Sequence, residues 1–306
     1  MKVLVFVILP FVIWSAAPAT AESPEYRLIQ PNRNQSGAIL RSWPGNAYLD
    51  RADGYSTARP LRRHATLTTL TEVSPGWIAA GVSQNGRHGD LVLISIEGAK
   101  ATRLSPPEGQ DSFFRLRPTI LSSESTLHGL SWLEGPDIRS LTVHLARRGP
   151  EGWSDTVAVP RRSGRGQTGL TAVDLADGAS LLVWAEFDGT DDDLFFSRLE
   201  GDSLSPPRRI VANNAVPDIT PSLVSMGGEI LLAWSQLESG DYRIKISHFD
   251  GETWSSPRTF GPPGAQRPDL RRTGESLSLV YRQAWPRSWI VAELGTDGRS
   301  LRSAGV

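Results

Sequence analysis

Between Glu229 and Phe260 apolar runs and polar breaks follow one another in a set order. Ile230-Leu231-Leu232-Ala233-Trp234 is continuously apolar, the pattern of a strand covered on both faces. A Gly-Asp break at Gly240-Asp241 follows. Tyr242, Ile244 and Ile246 then alternate with Arg243, Lys245 and Ser247, the period of a strand with one apolar and one polar face. Asp250-Gly251 predicts a tight turn, because glycine supplies the positive φ that such hairpins demand. Trp254 to Phe260 then predicts a further strand.

The same plan recurs along the chain. The positions equivalent to Trp234 are Trp184, Trp132, Val82, Tyr281 and, more weakly, Ile39. From Ile39 onward they are spaced by 43, 50, 52, 50 and 47 residues. A period of this size with several strands per unit is the sequence signature of a β-propeller blade. A short first strand in each unit opens near a proline, as at Arg117-Pro118, Thr220-Pro221 and Arg267-Pro268. Proline is tolerated at the first residue of a strand, where its missing N–H does little harm. Turns are expected at Asp53-Gly54, Glu97-Gly98, Glu200-Gly201, Asp250-Gly251 and Asp297-Gly298. Helical periodicity is nearly absent. The expected fold is all-β: a propeller of six four-stranded blades, or of five if the short first unit does not complete one. A pair of β-sandwiches is the alternative, and the regular return of one Trp-bearing strand argues against it. Leu40-Arg41-Ser42-Trp43-Pro44 resembles Arg282-Gln283-Ala284-Trp285-Pro286, as expected if the first and last units are neighbours in a closed ring.

The N-terminus has a different pattern. Lys2 precedes an apolar run from Val3 to Trp14, and Ala19-Thr20-Ala21 places small residues before Glu22. This predicts a signal peptide over 1–21, cleaved before Glu22, and an exported protein, periplasmic or secreted, whose residues 22–306 form one domain. The run is too short to cross the ~30 Å of hydrocarbon that requires about 20 apolar residues. There is no cysteine, so neither disulfides nor a lipid-anchored cysteine is expected. Removing 1–21 takes away one basic residue and no acid, leaving 31 basic and 33 acidic residues. That balance gives no general attraction to nucleic acid or to an anionic membrane, and no membrane insertion is expected after cleavage. Of the 32 basic residues of the full chain, only three are lysines. The arginines supply many planar donors suited to carboxylates.

Ser247, Gly251 and Trp254 carry a family resemblance. Their spacing is that of the Asp-box, or BNR repeat, Ser-x-Asp-x-Gly-x-x-Trp. Here Phe249 takes the acid's place and the acid follows at Asp250. Ser197 and Gly201 fit the same box, with Leu204 in place of the Trp. The chain thus resembles the sialidase-like β-propellers, with degenerate repeats. That resemblance implies three arginines clamping a substrate carboxylate, a Tyr–Glu nucleophile pair and an Asp acid/base. The nearest counterpart of the family's early arginine motif is Phe114-Arg115-Leu116-Arg117-Pro118. None of Tyr26, Tyr48, Tyr55, Tyr242 and Tyr281 stands in a nucleophile context.

Several groups of residues are candidates for chemistry. Two residues after the anchors stand Gln84, Glu134, Glu186, Gln236 and Gln283, with Arg41 in the first unit. Period-two geometry puts them on the anchor's side at the end of the second strand. They either ring a polar ligand or satisfy hydrogen bonds at the strand end, and the second is the expected role. Glu134 and Glu186 are the only candidates for a catalytic pair of the glycosidase kind. Asp90, Asp137, Asp193 and Asp241 open third strands, where side chain-to-backbone turn bonds are expected. In the loop DGTDDD, Asp188, Asp191 and Asp193 offer the oxygen ligands that Ca²⁺ takes, without EF-hand spacing. The expectation is that the chain holds no cofactor and no metal, with Ca²⁺ at this loop as the minor alternative. Arg62, Arg115, Arg117 and Arg267 lie near the starts of first strands and can clamp a carboxylate or sulfate. Trp43 and Trp285, in loops past second strands, either stack on a sugar ring or plug the contact between first and last blades. The five histidines are scattered, and no pair has zinc-ligand spacing.

The leading expectation is an exported propeller that binds a polar small molecule, a glycan or an envelope protein without catalysis. The rival is a sialidase-type glycoside hydrolase, with Arg115 or Arg117 and Arg267 as clamp and Glu134 or Glu186 as carboxylates. A third reading is a structural subunit of a surface complex.

Overall fold

The computed structural model describes strands from Glu25 to Ala304, and side chains over most of 76–298 apart from short stretches. The leader and its cleavage position before Glu22 lie outside the described residues. The strands form six sheets, each an antiparallel meander in chain order. These blades cover 25–63, 65–104, 114–158, 167–209, 218–260 and 265–304. Blades three and four each carry a fifth short strand, Val157–Ala158 and Arg208–Arg209, paired with the third strand. The six-unit count and the order of four strands within each unit are as the repeat predicts.

All six anchor positions fall in second strands. Trp132, Trp184 and Trp234 are fully buried. Each indole packs toward the preceding blade. Trp184 meets Leu133, Val143 and Leu145, Trp234 meets Leu181, Val183 and Phe196, and Trp132 meets Ile78, Ala80 and Leu93. The continuous apolar pattern of these strands follows from cover on both faces. The core is therefore a series of inter-blade layers.

Two local expectations are corrected. The prolines do not open the first strands. Arg117-Pro118, Thr220-Pro221 and Arg267-Pro268 lie inside Phe114–Ser123, Asp218–Met226 and Ala265–Thr273, each at a break in register with the second strand. The residue before each proline has positive φ: 51° at Arg117, 55° at Thr220 and 54° at Arg267. These are β-bulges, in which a proline costs no ladder bond. Blade four has Gly169 at its bulge, with φ 61°. A Cβ there would stand 2.9 Å from Pro221 Cδ of the next blade, so the bulges of blades four and five touch. The alternation read in the third strand of blade five also fails as a burial pattern. Lys245 and Ser247 are buried along with Ile244 and Ile246, because this strand too is covered on both faces. Lys245 donates to Thr259 Oγ1 at 2.7 Å.

The residues whose spacing resembles the Asp-box serve the scaffold. Ser247 donates to the Ser255 carbonyl at 2.7 Å, and Ser197 to that of Ser205 at 2.9 Å. Ser154, Ser205 and Ser255 accept from the backbone N–H of Arg147, Arg198 and His248. One serine device thus closes the outer turn of three successive blades. Trp254 packs on Phe249 and, edge on, on Phe196 of blade four. Hydroxyls also join the inner strands: Leu223 N–H donates to Thr171 Oγ1, and Leu270 N–H to Ser222 Oγ.

Candidate functional site

Register places the starts of first strands beside the ends of second strands. Gln167 pairs with Glu186, Phe114 with Gly135, Asp218 with Gln236 and Ala265 with Gln283. The loops from second to third strands and the links between blades therefore share one face, and every described candidate lies at or near it.

Beneath this face runs a layer of buried polar groups. Trp132 Nε1 donates to Glu134 Oε2 at 2.7 Å, and Arg115 Nε donates to the same oxygen at 3.1 Å. Trp184 Nε1 and Gln167 Nε2 each donate to Glu186 Oε2 at 3.1 Å, while the Arg162 N–H donates to Oε1. In blade five the residue two after the anchor is Gln236, and the indole turns instead to Asp218, at 2.6 Å. Gln236 and Asn214 also donate to Asp218. Gln283 donates to the Pro263 carbonyl. These positions satisfy strand-end hydrogen bonds, with the anchor indole itself as a donor. The buried carboxylates compensate the cost of burying an indole N–H. His144 stacks on Trp132 at 5.9 Å between ring centroids. Burial holds its pKa below the usual value, against the pull of Glu134.

The four arginines stand in different settings. Arg62 lies in the outermost strand of blade one, paired with Ala47, and so not at a first-strand start; its side chain is outside the described residues. Arg115 is buried, bonded to Glu134 and 3.8 Å from Asp90. Arg117 and Arg267 are exposed at the bulges of blades three and six. Trp43 is the last residue of the strand Ala38–Trp43, not a loop residue, and its side chain is outside the described residues. Trp285 stands in the loop of blade six and is 85% exposed. Of the four aspartates expected to open third strands, Asp137 lies instead in the loop before Thr142–Gly149 and makes the turn bond there, accepting from Arg139 N–H at 2.7 Å.

A cleft of about 440 Å³ opens between blades three and four, lined by Arg139, Arg165, Gly166, Phe187 and Asp192. Its size falls in the ~300–1,000 Å³ range of small-ligand pockets. The Arg165 guanidinium lies over the Phe187 ring, 3.7 Å from its centroid. Burial raises the Asp192 pKa, and Arg165 pulls it back. The lining therefore offers guanidinium donors, a carboxylate acceptor and an aromatic ring. Its residues come from two blades and from no shared motif, so nothing in the sequence groups them.

Beside the cleft lies the acidic loop. One carboxylate oxygen from each of Asp188, Asp191 and Asp193 lies within 4.8 Å of the other two. Arg209 pairs with Asp188 at 2.9 Å and with Asp193. Asp188 also accepts from the Thr190 N–H, and these bonds hold its pKa down at about 2. Burial pushes Asp193 up to about 7 and raises Asp191.

No protein-family model and no curated protein sequence matches the chain. Solved structures do match. The Aleuria aurantia lectin, reported with a six-bladed β-propeller fold and a novel fucose recognition mode, aligns at TM-score 0.57 and 11% identity, over 92% of this chain and 95% of that one. The chain is a six-bladed β-propeller. A PL25 ulvan lyase aligns at TM-score 0.63 and 9% identity over 91% and 80% of the two chains. A thermostable family-43 glycoside hydrolase aligns at 0.51 and 12% over 78% and 91%. At these identities the likeness is one of fold.

Proposed function

We propose that this propeller is exported and binds a polar ligand of carbohydrate type, without catalysis, in the cleft between blades three and four. The observation that carries this reading is the lining of that cleft. Sugar hydroxyls both donate and accept. Arg139 and Arg165 supply donors, Asp192 an acceptor, and the stacked Arg165–Phe187 pair a planar surface for C–H groups. Lectins and polysaccharide-active enzymes among the structural neighbours are consistent with such a ligand. An envelope glycan or glycoprotein meets the same description.

The sialidase-type alternative draws less support. Its clamp would need Arg115 or Arg117 together with Arg267, and Arg115 is buried and bonded to Glu134 beside Asp90. Its carboxylates, Glu134 and Glu186, are buried and accept hydrogen bonds from the anchor indoles.

The test is a glycan array probed with the mature chain, followed by titration of the best hit. Arg165→Ala and Phe187→Ala are expected to weaken binding at least tenfold, about 1.4 kcal/mol, with Arg165→Ala leaving the melting temperature unchanged. A panel of fluorogenic glycosides, sialosides included, is expected to show no turnover. Turnover abolished by Glu186→Gln would replace the binding reading with the hydrolase.

A further inference from the structure

We propose that Asp188, Asp191 and Asp193 form a binding site for a hard divalent cation, with Ca²⁺ preferred over Mg²⁺. Clustered acids alone do not make such a site, since turn bonds and ion pairs often account for them. Here they account for only part of the cluster. In Asp188 one oxygen accepts from both the Thr190 and Asp191 N–H groups, while the other accepts from Arg209 alone and keeps a lone pair for a cation. Asp193 gives one oxygen to Arg209. What remains is Asp193 Oδ1 and both oxygens of Asp191, all three buried and without a hydrogen-bond partner. Asp191 is only 7% exposed and Asp193 not at all.

A buried carboxylate normally collects donors, as Glu186 does a few residues earlier. Asp191 collects none and faces two more carboxylates. With all three acids ionised, they and Arg209 carry a net charge of −2. A fourth buried acid, Asp218, feels the charge of Asp191 as repulsion. A divalent cation would cancel that charge and take the three open oxygens without breaking any bond now made. The chemistry of the donors selects the ion. They are all oxygen, with no histidine or cysteine in the cluster, which favours Ca²⁺ or Mg²⁺ over zinc. Asp191 can bind through both oxygens, a mode common for Ca²⁺ and poorly suited to the strict octahedron of Mg²⁺. Water and backbone carbonyls would fill the remaining positions.

The test starts from the mature protein stripped with EDTA and desalted. Calorimetric titration with CaCl₂ is expected to show one site, weaker binding of MgCl₂, and a melting temperature higher in Ca²⁺ than in EDTA. Asp191→Asn is expected to lower Ca²⁺ affinity at least tenfold, and to melt in EDTA no lower than the wild type, because it removes an uncompensated buried charge. If Asp191→Asn does not fold, Asp188→Asn, whose amide oxygen can keep the turn bonds, is titrated in its place with the same tenfold loss expected. The proposal is overturned if the wild type shows neither heat nor a melting shift with Ca²⁺ up to about 10 mM, above the ~10⁻³ M of the weakest extracellular calcium modules. Ca²⁺ binding unchanged in the folded variant overturns it as well.

Discussion

Glu186 and Asp191 are buried carboxylates in the same blade, and they live in opposite surroundings. Glu186 receives the Trp184 indole, the Gln167 amide and the Arg162 N–H. Asp191 receives nothing. Burial by itself does not mark an acid as functional, because Glu134, Glu186 and Asp218 are all buried in the service of an indole. What separates the two is whether the fold supplies donors. An ionised group without donors in a low-dielectric site is costly, and such a group persists only where something else compensates it.

The contrast can be broken most forcefully on the scaffold side. Trp184→Ala removes a fully buried indole and orphans part of the Glu186 network; it should cost about 3–5 kcal/mol, read as a lower urea midpoint at constant m-value. An unchanged midpoint would show that the inter-blade layer is not the core. Glu186→Ala comes next. It takes the acceptor from the buried Trp184 indole, from the Gln167 amide, which keeps the Pro160 carbonyl, and from the part-buried Arg162 N–H; at about 1–3 kcal/mol for each group that water cannot reach, a loss of about 3 kcal/mol is expected in the same assay. A neutral result would remove the distinction between the two carboxylates.

The pH dependence is a smaller effect. His144 stays neutral in the fold because burial lowers its pKa from the ordinary 6.5. As pH falls below that value the unfolded chain takes up a proton that the folded chain does not, so stability declines with acidification in that window. Comparing urea midpoints between about pH 7 and pH 5.5, the wild type should lose more than His144→Gln; equal slopes would move the cause elsewhere. The smallest effect has the opposite sign. Asp191→Asn in EDTA should be neutral or stabilising, whereas Glu186→Gln, which puts an amide N–H₂ where donors already converge, should destabilise. A loss of stability in both would place Asp191 in the scaffold.

How much of this could be read along the chain differs between the two regions. The blade count and the second strands were legible because apolar runs around Trp132, Trp184 and Trp234 repeat at nearly constant spacing. The acids two residues past two of those anchors were legible as strand-end groups for the same reason. Their partner was not, and blade five shows why. There the indole bonds to Asp218, on the adjacent strand and 16 residues away in sequence, after Gln236 fills the usual place. Gln236 turns its Nε2 toward Asp218 rather than its oxygen toward the indole, so one carboxylate oxygen takes both donors. The bulges were misread as strand openings because X-Pro alone does not say whether a strand continues through it. The positive φ at Arg117, Thr220 and Arg267 is what lets it continue.

The sequence by itself determined the repeat, the all-β class and the composition of the DGTDDD loop, since each depends only on neighbours along the chain. The tertiary structure decided which of those acids are satisfied. It placed Arg209, from the short outer strand of the same blade, against Asp188 and Asp193 and left Asp191 without a donor. It also brought Arg139 of blade three to Arg165, Phe187 and Asp192. Contacts of that kind depend on how blades pack side by side, and no pattern within one blade encodes them.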